Sequence, residues 1–157
     1  FRLYVMTGPL NQIHAFEIGR VVVGRPLPLT LARALAFSGG ALDEPGWTQQ
    51  NLHTSHDKAL EAGLDAIIAS GTQSEGLLIG LLIDTFGDRW HRAGKLELRF
   101  LKPVRVGDSV RPGLRWSERV DSPGGSRWVA DVWCENGAGV RVVEGTASCI
   151  APEDFLA

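Results

Sequence analysis

Residues 71–86 read GTQSEGLLIGLLIDTF, and this stretch decides the fold. Its composition predicts one helix over Gly71–Phe86 in which large aliphatic side chains fall on almost every face. A helix with so little polar surface is stable in water only when other elements surround it. The apolar run from Leu77 to Ile83 is interrupted by Gly80 and is too short to span a bilayer, so we expect a buried core helix.

Four runs rich in β-branched and aromatic residues follow this helix, separated by turn-forming residues. The predicted strands are Lys95–Phe100, Ser109–Val120, Arg127–Glu135 and Val140–Ile150, and the separators are residues 103–108, 121–126 and 136–139. Separators this short join antiparallel neighbours, because parallel strands need a long crossover connection. The second half of the chain therefore predicts an antiparallel sheet.

Shorter elements precede the central helix. Alternation predicts a first strand over Phe16–Val23, and an N-capping threonine predicts a helix over Thr30–Phe37. Residues 41–50 lack periodicity and should form a loop, while Ser55–Ala62 predicts a helix that ends at Gly63. Together these elements predict an α+β protein with the hot-dog fold, in which a curved antiparallel sheet wraps around one long hydrophobic helix.

The composition is that of a single globular domain over residues 1–157. A chain of 157 residues and 17.0 kDa buries enough surface to fold without disulfides or metal. Its 16 Lys and Arg nearly cancel its 18 Asp and Glu, so we expect neither nucleic acid nor a membrane as partner. Residues 1–15 are predicted to be an N-terminal extension. Because Met6 is the only methionine, residues 1–5 are predicted to be a cloning remnant or an overextended start.

Cysteine usage points to a reducing cytoplasm. Cys134 and Cys149 are fifteen residues apart, without a CxxC pair or a neighbouring Cys/His cluster, which argues against a structural metal site and a disulfide scaffold. If the C-terminal strands pair, the two thiols could approach each other. The favoured interpretation is that both are buried and unreactive.

Two stretches of sequence, which lie at a fixed distance from each other, match the pattern of a known protein family. The first runs from Asn51-Leu52-His53 to Ile68-Ala69-Ser70-Gly71, and the second is RFLKPVRVGD at residues 99–108. Eighteen residues separate His53 from Gly71. In this pattern, which spans residues 16–150, the sequence resembles the MaoC-type acyl dehydratases and (R)-specific enoyl-CoA hydratases. The resemblance implies a hot-dog lyase of fatty acid metabolism that hydrates an α,β-unsaturated acyl thioester or dehydrates a 3-hydroxy one.

The sequence departs from the family pattern at one position. The family has an aspartate five residues before its histidine, and here that position is Thr48. The family's Ser-Gly-Asp triplet corresponds to Ser-Gly-Gly at residues 38–40 of this sequence. Extra residues, relative to the family pattern, are inserted after it. Asp43 and Glu44 lie in the insertion, and we expect Asp43 to bring a carboxylate back to the site in place of the missing acid.

The chemistry of such a reaction assigns roles to the matching residues. Moving water across a double bond needs a proton donor and acceptor, and a histidine ionises near neutral pH, so His53 is the predicted acid/base with Asp43 as its companion. His56 is an alternative at a shorter distance from the glycine. Gly71 is predicted to offer a backbone N–H to the thioester oxygen at the start of the central helix. The predicted substrate-binding set is completed by Ser70, Thr48 and Asn51.

The resemblance also implies partners. The reaction would need no cofactor, because CoA or a carrier-protein phosphopantetheine is part of the substrate, and Lys102 or Arg105 could meet its phosphates. The expected assembly is a homodimer or higher oligomer, or a heterodimer with a related subunit. Two alternatives remain: a hot-dog thioesterase in which Glu75 activates water, and a catalytically silent subunit of a heterodimeric dehydratase.

Overall fold

A computed structural model describes residues 3–5, 16–122 and 125–151. Its helices are α1 (Leu31–Ser38), α2 (His56–Glu61), α3 (Gly71–Phe86) and α4 (Arg89–Ala93). Its strands are β1 (Leu3–Val5), β2 (Val21–Val23), β3 (Leu27–Pro28), β4 (Lys95–Phe100), β5 (Ser109–Ser122), β6 (Gly125–Asn136) and β7 (Arg141–Ile150).

The described strands form one sheet in the order β1-β2-β5-β6-β7-β4, with β3 paired to β5. All neighbours are antiparallel except β1 and β2, which run parallel. The long central helix α3 packs on β5, β6 and β7. This arrangement confirms the predicted hot-dog fold. The sheet has seven described strands where the sequence predicts five, and β1 shows that residues 3–5 belong to it.

Local sequence signals set most helix ends where they were predicted. Thr30 caps α1 by accepting a hydrogen bond from the Arg33 N–H at 3.2 Å, and Ser55 caps α2. Helix α3 has the predicted bounds. The first strand is shorter than predicted, because Gly19 turns the chain with a φ of 83°. Helix α4 was not predicted, since five residues carry too little periodicity to recognise.

Among the described residues, helix α3 is covered on one side only. Leu78, Leu81 and Leu82 are buried in the core formed with the sheet. Other apolar side chains of α3 are only partly buried, namely Leu77, Ile79 and Ile83. A Cβ at Gly76 or Gly80 would meet no atom of the other described residues within 4 Å, apart from the surrounding backbone of the helix itself. The sequence predicts that the sheet encloses the whole helix, but the sheet covers only the face of α3 that is turned toward it.

The two cysteines lie apart in the core. Cys134 is opposite Val143 in the β6–β7 register, and Cys149 is opposite Trp128. Six residues along β6 separate these two levels, about 20 Å at the usual rise per strand residue. Both thiols are buried and unpaired, and burial raises the pKa of Cys134 to about 12. The two thiols therefore do not approach each other.

Candidate active site

The last residues of the long connection between α1 and α2 present His53. The Asn51 carboxamide oxygen accepts a hydrogen bond from the His53 backbone N–H at 2.8 Å, and its nitrogen donates to the Ser38 carbonyl at 2.7 Å. The buried Thr54 hydroxyl donates to the Gln49 carbonyl at 2.6 Å. Asn51 thus holds the histidine loop against the end of α1. Its side chain is engaged in this positioning.

The His53 imidazole is oriented by a backbone carbonyl. Its Nδ1 lies 2.9 Å from the Ile68 oxygen. A carbonyl oxygen can only accept a hydrogen bond, so a neutral His53 carries its proton on Nδ1 and donates it there. The second nitrogen, Nε2, is then the one with an available lone pair. This geometry prepares Nε2 to accept a proton.

A cavity of about 380 Å³ lies beside His53 at the N-terminus of α3. Gly71 and Ser74 line it from the helix, and the end of β4 with the following turn lines it from the other side. The remaining lining residues are Ile68, Ala69, Phe100, Leu101, Lys102, Pro103, Val104 and Val143. The walls are mostly apolar, with His53, Ser74 and Lys102 as the polar side chains. An apolar chain with one polar end fits such walls.

Gly71 lets the Phe100 ring lie close to the start of α3. A Cβ at this position would lie 2.8 Å from the Phe100 Cε1 atom, closer than real Cβ contacts come. The Phe100 ring can therefore lie this close to the backbone at the start of α3 only because residue 71 has no side chain. The Gln73 N–H already donates to the Ser70 carbonyl at 3.0 Å. Backbone N–H groups at the very start of a helix have no partner inside the helix, so the Gly71 end of α3 can offer one to an oxygen atom in the cavity.

The structure brings together two of the predicted site residues and leaves others outside the cavity. His53 and Gly71 line the same cavity, across the predicted eighteen-residue spacing. The Ser70 hydroxyl shares a 2.8 Å hydrogen bond with Thr72 and does not line the cavity. The alternatives His56, which is exposed, and Glu75, which is half-buried, do not line it either.

The inserted loop is closed at its base. The Gln49 N–H donates to the Gly39 carbonyl at 2.7 Å. This hydrogen bond joins the two ends of the loop formed by residues 40–48. Asp43 is exposed within this loop, and Thr48 is half-buried; neither lines the cavity. A catalytic role for Asp43 and a substrate-binding role for Thr48 stay predictions.

Ser74 is a site residue that the sequence analysis missed. It is buried, lies one helical turn after Gly71 and lines the cavity. The available signal was its spacing, because residues i and i+3 share one face of a helix. Lys102, one of two predicted phosphate contacts, also lines the cavity. The other, Arg105, is instead bound through two nitrogens to Asp65.

Neither a metal cluster nor a membrane-spanning helix is evident in the part of the chain that the structure describes. No group of three or more His, Cys, Asp or Glu side chains is placed to hold a metal ion among these residues. No helix among them has the length and hydrophobicity needed to cross a bilayer.

Residues 16–121 match the family model described as a MaoC like domain. A search of curated proteins found no match.

Solved structures share the fold. The unliganded R-hydratase PhaJ1 from Pseudomonas aeruginosa is 26% identical, with a TM-score of 0.65 over 88% of this chain and 83% of that one. A MaoC-like dehydratase from Rhodospirillum rubrum is 18% identical, with a TM-score of 0.69 over 87% and 92%. The HadBC (3R-hydroxyacyl-ACP dehydratase) complex from Mycobacterium tuberculosis, truncated at a C terminus, matches at 17% identity and a TM-score of 0.62, over 85% and 96%.

Proposed function

Because the chain belongs to the family of MaoC-like domains, we propose that it is a hydratase or dehydratase of acyl thioesters. In this reaction water adds across a double bond conjugated to the thioester, or leaves a 3-hydroxyacyl thioester to form that double bond. The observation that supports it best is the placement of His53. The Ile68 carbonyl holds its Nδ1, which leaves Nε2 to act as a base, and His53 lines the cavity at the N-terminus of α3.

In the proposed mechanism, the thioester oxygen lies near the Gly71 end of α3. Nε2 of His53 takes a proton from water while the water oxygen bonds to the β-carbon. The electron pair of the double bond moves to the α-carbon, and negative charge develops on the thioester oxygen, where backbone N–H groups stabilise it. The imidazolium then returns the proton to the α-carbon. The protons balance with His53 alone, and the dehydration is the same path reversed.

The proposed substrate carries CoA or a carrier-protein phosphopantetheine as its thiol group. The mostly apolar walls suit an acyl chain, and Lys102 provides a positive charge in the same cavity. No step of the proposed path requires a metal or cofactor. The unpaired thiols of Cys134 and Cys149 are compatible with the proposed cytoplasmic location.

Crotonyl-CoA and its saturated analogue, butyryl-CoA, test the proposal. Hydration removes the enoyl absorbance of crotonyl-CoA and releases no thiol from either compound. Thiol release from butyryl-CoA would contradict the proposal and favour a thioesterase, for which Glu75→Gln is the diagnostic variant. A folded protein that gives neither signal on CoA or carrier-protein thioesters would contradict a self-sufficient enzyme and favour the silent-subunit alternative.

The Asp43→Asn variant tests whether a second carboxylate takes part. The sequence predicts that Asp43 replaces the missing acid, whereas the proposed path uses His53 alone. Because Asp43 is exposed and does not line the cavity, that path predicts that turnover of Asp43→Asn stays within about twofold of the wild type. Steady-state turnover of crotonyl-CoA, with Glu44→Gln as the matched control in the same loop, measures the effect. A loss comparable to that of a His53 variant would instead make Asp43 the replacement acid.

A further inference from the structure

The carbonyl that orients His53 belongs to a short antiparallel strap. Ile68 forms a bridge with Arg105. On either side of it, the Ala69 N–H donates to the Val104 carbonyl at 2.8 Å and the Val106 N–H donates to the Ile67 carbonyl at 2.9 Å. The strap thus joins residues 67–69, just before α3, to residues 104–106. The position of the Ile68 oxygen depends on how well these two segments stay paired.

A two-pronged ion pair closes the strap. The Arg105 Nε donates to one carboxylate oxygen of Asp65 at 3.0 Å, and a terminal guanidinium nitrogen donates to the other at 2.8 Å. Asp65 lies three residues before Ile68, and Arg105 lies directly opposite Ile68. The ion pair therefore fixes both segments close to the carbonyl. Two parallel bonds also set the relative orientation of the two side chains, which a single contact does not.

We infer that Asp65 and Arg105 form a positioning pair for His53, an inference that rests on the proposed function. By keeping the strap paired, they hold the Ile68 oxygen 2.9 Å from Nδ1, which keeps the proton on Nδ1 and the lone pair on Nε2. Neither residue lines the cavity. The Asp65–Arg105 pair acts on the reaction only through the tautomer and orientation of the imidazole.

Exposure distinguishes this role from a general contribution to stability. The side chains of Asp65 and Arg105 are 71% and 56% exposed. Exposed ion pairs add little to folding stability, so the loss of this one should barely change the melting temperature. A misplacement of about 1 Å at a reacting group, in contrast, can cost up to about 10²-fold in rate.

The experiment observes the imidazole directly. Long-range ¹H–¹⁵N NMR spectra distinguish which ring nitrogen of His53 carries the proton in the neutral form. In the wild-type protein we expect the Nδ1–H form. In Asp65→Asn and in Arg105→Gln we expect a growing share of the Nε2–H form, which is the commoner one for a histidine in water. Turnover should fall about tenfold with little change in KM.

Two further variants make the test specific. Glu61→Gln removes another exposed ion pair, Lys58–Glu61 on α2, and should leave both the tautomer and turnover unchanged. The exchanged pair Asp65→Arg with Arg105→Asp should restore the wild-type tautomer.

Unchanged Nδ1–H spectra in both single variants would overturn the inference, whatever the activity. The proposed function fails separately: a wild-type protein that is inactive on acyl thioesters, yet shows the expected tautomer shifts, would contradict the reaction and leave the positioning pair supported. Should either single variant unfold, Arg105→Lys replaces it, because a lysine keeps the charge and loses the two-pronged geometry.

Discussion

At the residue scale, the available lone pair of His53 is the feature on which the proposed chemistry depends. The Ile68 carbonyl occupies Nδ1, so proton transfer falls to Nε2. Replacing His53 with alanine should lower turnover by about 10²–10⁴-fold while the protein stays folded, because a positioned acid/base group contributes on that order. Steady-state hydration of crotonyl-CoA measures it, and His56→Ala, an exposed histidine of α2, is the control. An active enzyme indifferent to His53→Ala would contradict the hydratase proposal.

Gly71 carries a second prediction at this scale. A Cβ there would lie 2.8 Å from the Phe100 ring. Gly71→Val should therefore block access from the cavity to the first turn of α3 and reduce turnover by about 10²-fold or more. Activity and melting temperature together measure the effect. Gly76→Ala is the matched control, because its Cβ enters open space and alanine favours helix by about 1 kcal/mol. Native melting with full activity in Gly71→Val would exclude the role.

At the scale of elements, the burial of β6 makes stability depend on pH. Burial keeps the Cys134 thiol protonated in the folded state until its pKa of about 12, whereas an unfolded cysteine ionises near pH 8.5. Between these values the folded state binds more protons than the unfolded state, so the free energy of unfolding falls as pH rises. This contribution is fully present below about pH 8.5 and is lost progressively toward pH 12.

The expected result is a steeper loss of stability with alkaline pH in the wild type than in Cys134→Ala. Urea unfolding at a series of pH values from neutral upward measures both slopes, and comparing the two proteins cancels the other groups that ionise in this range. Cys134→Ala should also be less stable at every pH, because it leaves a small void. Equal slopes in the two proteins would contradict the assignment of this pH dependence to Cys134.

At the scale of the whole molecule, the open edge of the sheet predicts how two copies pair. Strand β4 ends the described sheet order, and its outer backbone groups have no neighbouring strand there. Its outward side chains alternate in charge, Lys95, Glu97, Arg99, while Leu96 and Leu98 face the core side. An unpaired edge of this kind is a template for another strand. A second copy related by a two-fold axis is the partner that we predict.

Charge selects the register of this pairing. Antiparallel pairing with Leu98 opposite Leu98 of the second copy places Glu97 opposite Arg99 of that copy, and it places the half-exposed Phe100 opposite an apolar Leu96. If the two-fold axis passed through Glu97 instead, Lys95 would lie opposite Arg99 of the second copy, and Glu97 would lie opposite Glu97 of that copy. Like charges directly opposite each other are destabilising.

Single cysteine variants distinguish the registers, because a residue on the two-fold axis lies opposite its own copy within disulfide reach. Under mild oxidation, Leu98→Cys should form a cross-linked dimer and Glu97→Cys should not; both native thiols are buried, which limits background. Cross-linking of Glu97→Cys alone would contradict the register. Light scattering should give about twice the 17.0 kDa chain mass, and a monomer at micromolar concentration would contradict the assembly.

The sequence by itself determined the central helix, the four long strands and the spacing that brings His53 to Gly71. These follow from local periodicity, because the residues that define one helix face or one strand face lie within a few positions of each other. The features that the sequence did not predict are contacts between segments far apart in the chain. The Ile68 carbonyl that sets the tautomer, the Asp65–Arg105 pair and the Phe100 ring over Gly71 join residues 15, 40 and 29 positions apart. Only the tertiary structure decides such contacts, because each depends on how separate elements pack and not on the pattern within any one of them.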